Sequence, residues 1–168
     1  MGLALSEAEF DRLVTDHGAV LYRTAFRMVG DRGEAEDLVQ ETFRSCWKSR
    51  ALFRPGEGER AWLIAILRRR SVDRWRRRRL PSVLRADLSD DIATQPPDPT
   101  QDDYTDEMQR ALNRLPKELR EALLLVVVGE LTHQEAAEEM RCPIGTILSR
   151  VSRARERLRQ FMLAEKEK

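Results

Sequence analysis

Apolar residues recur three and four positions apart along most of the chain. Phe10, Leu13, Val14, His17, Leu21, Ala25 and Met28 make the first such stripe, the spacing of an amphipathic helix. Ser6 with Glu9 three residues later opens it as a capping box, and Gly30 is placed to end it. His17 has no cluster of Cys, His or carboxylate beside it, so it reads as a packing residue and not as a metal ligand. Asp31 and Glu34 cap a second helix with Leu38, Val39, Phe43, Cys46 and Trp47 on its apolar side. Asp37, Gln40 and Glu41 fall on the face away from Phe43 and Trp47. Gly56 and Gly58 mark a loop, and beyond it Ala61–Leu67 is apolar on every face, as in the middle of a packed bundle. Trp62 belongs to that core. The same helix then runs without a breaker into Arg68–Arg70, Asp73, Arg74, Trp75, Arg76, Arg77 and on to Arg79.

From Pro81 the pattern changes. Pro96, Pro97 and Pro99, an acidic run and no apolar periodicity read as a flexible linker. Helical spacing resumes with Met108, Ala111, Leu112 and Leu115. Pro116 begins another helix, with Leu119, Leu123, Val126 and Val127 as its core side and its end near Gly129. Leu123–Val128 looks locally like a strand, but its place between two caps argues for helix. Thr132 and Glu135 form a second capping box over a helix reaching about Met140, too short to stand without a packing partner. A break at Arg141-Cys142 follows, with Pro143 at a first helical position. The last helix carries Ile144, Ile147, Val151, Ala154 and Leu158 as its core stripe. Gly145, Ser149, Ser152, Arg153 and Glu156 lie opposite; Arg150 and Arg157 lie on one flank, and Leu148, Arg155 and Arg159 on the other. A short helix, a tight turn and a longer basic helix fit a helix-turn-helix, or an ordinary helical hairpin with a solvated charged face.

The expected architecture is therefore all-α. Two small helical domains, residues 1–80 and 106–168, are joined by a flexible acidic linker at 81–105, and the C-terminal domain is a four-helix unit with a helix-turn-helix. A length of 168 residues, 41% hydrophobic and 35% charged, allows two small cores under much surface. The net charge of +1 conceals a segregation. Ala61–Leu80 holds eight arginines against one aspartate, while Ser82–Gln109 holds one arginine against eight carboxylates. Such asymmetry suggests an anionic partner for the first segment and a solvated role for the second. Planar guanidinium groups pair with phosphate oxygens, and Trp75 among them either stacks on an unpaired base or caps the core.

Two cysteines outside any C-x-x-C, Cys46 and Cys142, exclude a disulfide framework or zinc site, and each reads as a small buried hydrophobe. No His/Ser/Asp triad, Gly-rich phosphate loop or metal-ligand cluster supports an enzyme, and no cofactor or metal is expected. The longest apolar runs, Ala61–Leu67 and Ala122–Val128, are seven residues each, and nothing at the start resembles a secretory signal. A soluble cytoplasmic protein without membrane contact is expected.

Three blocks carry a more specific signal. The first is Leu131, Thr132, Glu135, Ala136 and Ala137, then Cys142, Pro143, Gly145, Thr146 and Ile147, then Ser149, Arg150, Arg153, Ala154, Arg155 and Leu158. It resembles the C-terminal promoter-binding domain of bacterial sigma factors of the sigma-70 family, extracytoplasmic-function group. The second, Ala35–Phe43, resembles the segment by which that family docks on RNA polymerase. The third, with Ala61-Trp62-Leu63 and the basic residues around Asp73, resembles the region that binds the non-template strand of the −10 element. The resemblance covers about residues 6–80 and 106–161, without the additional N-terminal regions of housekeeping sigma factors.

The resemblance implies core polymerase contact through Asp37, Leu38, Gln40, Glu41 and Phe43. It implies −10 strand binding through Arg68, Arg69, Arg70, Asp73, Arg74, Trp75, Arg76 and Arg77. It implies −35 duplex binding through Thr146, Leu148, Ser149, Arg150, Ser152, Arg153 and Arg157. The chain departs from the family where Arg69 replaces a frequent Asn, Arg74 a frequent Tyr and Leu148 a frequent Lys or Arg. In the family the linker threads through the polymerase near the RNA path. The implied function is promoter-specific transcription initiation, with core RNA polymerase, promoter DNA and an anti-sigma factor as partners and a monomer outside the holoenzyme. Two rivals remain: a sigma-like interaction protein that sequesters an anti-sigma factor, and a plain helix-turn-helix regulator.

Overall fold

The computed structural model of the protein describes residues 5–56, 58–79 and 106–166. Among them are seven α-helices and no strand. They form two compact units, divided between residues 98 and 99. That division falls within the segment read as a linker, which itself lies outside the described residues.

In the first unit α1 (Glu7–Val29), α2 (Arg32–Lys48) and α3 (Glu59–Arg79) pack on one another. Local chemistry sets the ends. The Ser6 hydroxyl accepts from the Glu9 N–H at 3.3 Å while the Glu9 carboxylate accepts from the Ser6 N–H at 2.9 Å. Hydrogen bonds donated to the Glu9 carboxylate by the Ser6 N–H and by the Ser6 hydroxyl hold that carboxyl below the usual range. Gly30 ends α1 at φ 78°, a conformation that costs glycine nothing. The Asp31 carboxylate caps α2 by accepting from Glu34 N–H at 2.9 Å.

Leu13, Leu21, Leu38, Leu63, Ile64 and Leu67 are fully buried between these helices, each worth about 1.5–3 kcal/mol of transfer free energy. Thr24 and Thr42 enter the core because their hydroxyls donate to the Val20 and Leu38 carbonyls at 2.8 and 2.7 Å. Burial pushes the Cys46 thiol up to about 11, so this residue acts as an apolar neighbour, as its sequence context suggests. His17 packs half-buried on α1, its Nε2 at 3.6 Å from the Glu59 carboxylate that also takes Arg12 at 3.1 Å. Trp62 departs from expectation: it is half-buried and lies against the Phe53 ring, 5.5 Å between centroids. It sits in the first turn of α3, where a short 3-10 turn at Arg50–Leu52 and the following Phe53 form the edge of the unit.

The second unit contains α4 (Asp106–Arg114), α5 (Lys117–Leu123), α6 (His133–Met140) and α7 (Ile144–Lys166). Thr132 caps α6 with the capping box read from sequence: its hydroxyl accepts from Glu135 N–H at 3.1 Å and Glu135 returns to the Thr132 N–H at 2.8 Å. Two expectations fail here. Beyond α5 the chain winds as a π-turn over Leu124–Val128, and Gly129 N–H donates to the Leu124 carbonyl at 2.8 Å. The wider turn holds one residue more than an α-turn, setting the register back by about 100°. Leu124 and Leu125 are consequently buried, whereas Val126 is half-buried and Val127 is 40% exposed. The second failure is Ile144, 44% exposed, although Ile147, Val151 and Ala154 are buried as the stripe requires. The eight-residue α6 offers α7 only the small side chains of Ala136 and Ala137 from its buried face, and the stripe is covered from Ile147 onward.

The π-register is testable by truncation. Leu125→Ala should cost about 2–5 kcal/mol in urea unfolding of the full chain, and Val127→Ala less than about 1 kcal/mol. A regular α-helix over the same run would make Val127 the costlier of the two.

Candidate nucleic-acid interface

The charged half of α3 is built on the buried half. Leu63, Ile64, Ile66 and Leu67 fix the rod in the unit, and the arginines continue it. They divide by face. Arg70, Arg74 and Arg78, four apart, form a ladder against α2. Arg70 Nε donates to Ser45 Oγ at 2.8 Å, and Arg70 Nη1 lies 3.7 Å from Asp73. Arg74 Nη2 lies 3.1 Å from Glu41 Oε1 and 3.5 Å from Asp37 Oδ2, and its Nη1 donates to the Glu34 carbonyl at 3.3 Å. Arg78 pairs with the Glu34 carboxylate. As the α3 numbers rise the α2 numbers fall, so the two helices run antiparallel.

Arg69 and Arg76, seven apart, share another face and are exposed, as is Arg77. Trp75 is 49% exposed. Arg68 is half-buried.

Of the residues assigned to polymerase docking, Asp37 is the most accessible, its side chain 64% exposed. Gln40 and Glu41 are half-buried on the same side. Leu38 is fully buried and acts by packing α2, while Phe43 lies edge-on to Phe10, 6.1 Å between centroids. The sequence marks Glu34 only as a cap and gives no sign of Ser45, yet both hold arginines of α3. The spacing of Arg70, Arg74 and Arg78 was the available signal, legible only with an antiparallel partner in hand.

In the second unit α6, the turn and α7 make the helix-turn-helix. Arg141 ends α6 in the left-handed region at φ 51°, ψ 48°, which costs a non-glycine residue about 1–2 kcal/mol. The Arg141 N–H donates to Glu138 O at 3.2 Å and Cys142 N–H to Ala137 O at 3.0 Å, satisfying the last carbonyls of the helix. Leu148, Ser152, Arg153 and Arg157 are exposed along α7, and Thr146 is half-buried. Two of the expected readers are already engaged. Ser149 Oγ donates to the Thr146 carbonyl at 3.0 Å, and Arg150 Nη2 donates to Glu118 of α5 at 2.9 Å while its Nη1 lies 3.9 Å from Cys142 Sγ. Arg150 thus ties α7 to α5. Hydrogen bonds from Arg159 and Gln160 hold the Glu156 carboxyl below the usual range, so a carboxylate marks the far end of the polar face.

An arginine-bearing helix rooted in one core and a helix-turn-helix in another are the layout of an all-α DNA-binding transcription protein. Residues 13–80 match sigma-70 region 2 and residues 105–158 match sigma-70, region 4. The chain is 35% identical to the ECF RNA polymerase sigma factor EcfG of Rhodopseudomonas palustris, over 84% of this chain and 78% of that protein. It is 34% identical to the ECF RNA polymerase sigma factor SigE of Mycolicibacterium smegmatis over 91% of its length, and spans 61% of that relative. A solved structure of the sigma factor RpoE in complex with the anti-sigma factor NepR from Bartonella quintana is similar, with 32% identity and a TM-score of 0.74. That likeness covers 92% of this chain and 96% of the other. The chain belongs to the sigma-70 family, among its extracytoplasmic-function RNA polymerase sigma factors, and so to the proteins that direct transcription initiation.

The Arg150–Glu118 pair should couple the two helices measurably. A double-mutant cycle with Arg150→Ala and Glu118→Ala, read by urea unfolding, is expected to give about 0.2–1 kcal/mol, shrinking with added salt. Additivity of the two variants would show that Arg150 does not brace α7.

Proposed function

We propose that the two units divide promoter recognition between them. In this reading the first docks on core RNA polymerase through the polar side of α2, with Asp37, Gln40 and Glu41 facing a basic partner surface, and binds the melted −10 strand along α3. The second lays α7 in the major groove of the −35 element. The observation that carries the proposal is the set of exposed arginines on α3, Arg69, Arg76 and Arg77, on a rod anchored in the core by Leu63, Ile64, Ile66 and Leu67. Guanidinium groups so presented suit a phosphate backbone, and Trp75 beside them suits a base stripped from its stack.

On this reading the protein performs no covalent chemistry of its own and works in the cytoplasm beside the polymerase, as a monomer outside the holoenzyme. None of its described helices is long and apolar enough to cross a membrane. The likeness to RpoE bound by NepR supports an anti-sigma factor as a further partner, here as there a protein that binds the sigma factor.

Pull-down of core polymerase followed by run-off transcription tests the proposal. Gln40→Ala with Glu41→Ala should weaken core binding while leaving the affinity of the chain for −35 duplex unchanged. Arg76→Ala should weaken promoter complexes about equally on all −10 sequences and lower the salt slope by roughly one unit. A chain that neither captures polymerase nor supports run-off would instead be a plain duplex-binding regulator.

Leu148 gives a finer test. It is 49% exposed, so a longer polar side chain fits without disturbing the core, and Leu itself offers only apolar contact, for instance to a thymine methyl. Ile144, one turn earlier and also exposed, widens the same apolar strip. Leu148→Arg is expected to leave the thermal melt unchanged and to tighten binding or shift base preference by about 1–3 kcal/mol at one −35 base pair. Selection on randomised −35 sites reads the outcome; unchanged affinity and preference would remove Leu148 from the interface.

A further inference from the structure

Arg74 stands where two assignments meet. It belongs to the helix proposed to bind the −10 strand, yet its guanidinium is held by residues of the helix proposed to bind polymerase. Glu41 Oε1 accepts from Nη2 at 3.1 Å and from Nε at 3.4 Å, Asp37 Oδ2 lies 3.5 Å from Nη2, and the Glu34 carbonyl accepts from Nη1 at 3.3 Å. The side chain is 22% exposed. A guanidinium has five N–H donors in one plane, and these contacts occupy it on the α2 side. Arg70 differs, because its hydrogen bond goes to the neutral Ser45 hydroxyl, and Arg78 pairs with Glu34, at the far end of the ladder. The Arg74 rung draws on both Asp37 and Glu41.

From this sharing we infer that Asp37 and Glu41 act as a latch on Arg74, which a basic protein surface seated on α2 opens, releasing the guanidinium to single-stranded nucleic acid. The inference rests on the reading of α2 as the polymerase-docking helix and adds a regulation to it. A carboxylate shared between two cations binds each less tightly than it would bind one alone. A cationic partner on α2 therefore weakens the hold on Arg74 by the same amount as Arg74 weakens the partner's hold on α2. Linkage makes the effect reciprocal: nucleic acid on Arg74 strengthens attachment of the basic partner to α2. The latch is weak enough to be opened. Ion pairs of this exposure each shift an equilibrium by no more than about fivefold, so polymerase contacts can outweigh it, while in the free chain it holds down binding to indiscriminate single strands.

The test uses the full chain and a fluorescent oligothymidylate as the single-strand probe. Asp37→Asn with Glu41→Gln should tighten binding about three- to tenfold. The same pair of changes in an Arg74→Ala background should give no gain. Asp11→Asn with Asp16→Asn, an equal loss of two exposed negative charges on α1, sets the size of the general electrostatic effect. An unchanged affinity of the folded double variant overturns the latch, and so does an equal gain with and without Arg74. Should the double variant melt below the assay temperature, Asp37→Asn alone, at the more exposed carboxylate, carries the same comparison. Failure of the docking reading is separable: core binding that ignores Gln40→Ala and Glu41→Ala removes polymerase as the opener, whereas the comparison on oligothymidylate concerns the latch itself.

Discussion

The first unit depends on α3 being one uninterrupted rod with two solvents. Its N-terminal half buries Leu63, Ile64, Ile66 and Leu67 in the core, and its C-terminal half carries arginines that repel one another across each turn. Alone, such a charged half would lose helicity into water. Anchoring at Leu63, Ile64 and Leu67 supplies the nucleus from which it propagates, and the acidic side of α2 neutralises one of its faces. The remaining faces keep their charge for a partner. The fold thus holds positive charge outward on a rigid element, where guanidinium groups lose less entropy on pairing than they would on a loop.

The second unit solves the opposite problem. Its long α7 is held firmly while most of its surface stays exposed. Small alanines on α6 and the stripe from Ile147 to Ala154 bring the helices close, and the ion pair from Arg150 to Glu118 steadies α7 from its flank. The left-handed Arg141 sets the sharp turn between the helices. Two of the polar groups expected to read bases, Ser149 and Arg150, are thereby engaged in supporting the motif. The apolar pair Ile144 and Leu148, with Arg153, is left facing outward.

How far the sequence was legible follows the range of each interaction. The caps at Ser6, Asp31 and Thr132 appear as read because each is closed by a residue three positions away. The all-helical class and the identity of most core residues follow from periodicity, which is equally local. The run Leu123–Val128 offers no period, since every residue is apolar, and the α-register carried over from the preceding turns fails where the chain takes a wider turn. Ile144 was misplaced because the end of a stripe depends on how long the neighbouring helix is. The partners of Arg74 and Arg150 come from other helices, at 33 and 32 positions' separation, so no reading along the chain would find them. Residues proposed to touch DNA or polymerase were recognisable by motif, but which of them the free protein already occupies was not.

The antiparallel ladder between α2 and α3 also constrains how this sequence can vary in length. Its rungs match a position on one helix to a position on the other, and inserting or deleting a single residue within either would rotate everything beyond by about 100°. Arg74 and Arg78 would then swing away from Glu41 and Glu34 toward solvent or into apolar neighbours, and several rungs would be lost together. In the connection between the two helices the exposed stretch Arg54–Gly56 carries no rung of the ladder, and its length can change at less cost. Substitutions at the rungs are tolerable one at a time; length changes in the helices that carry them are not, and homologous chains should differ in size at the loop.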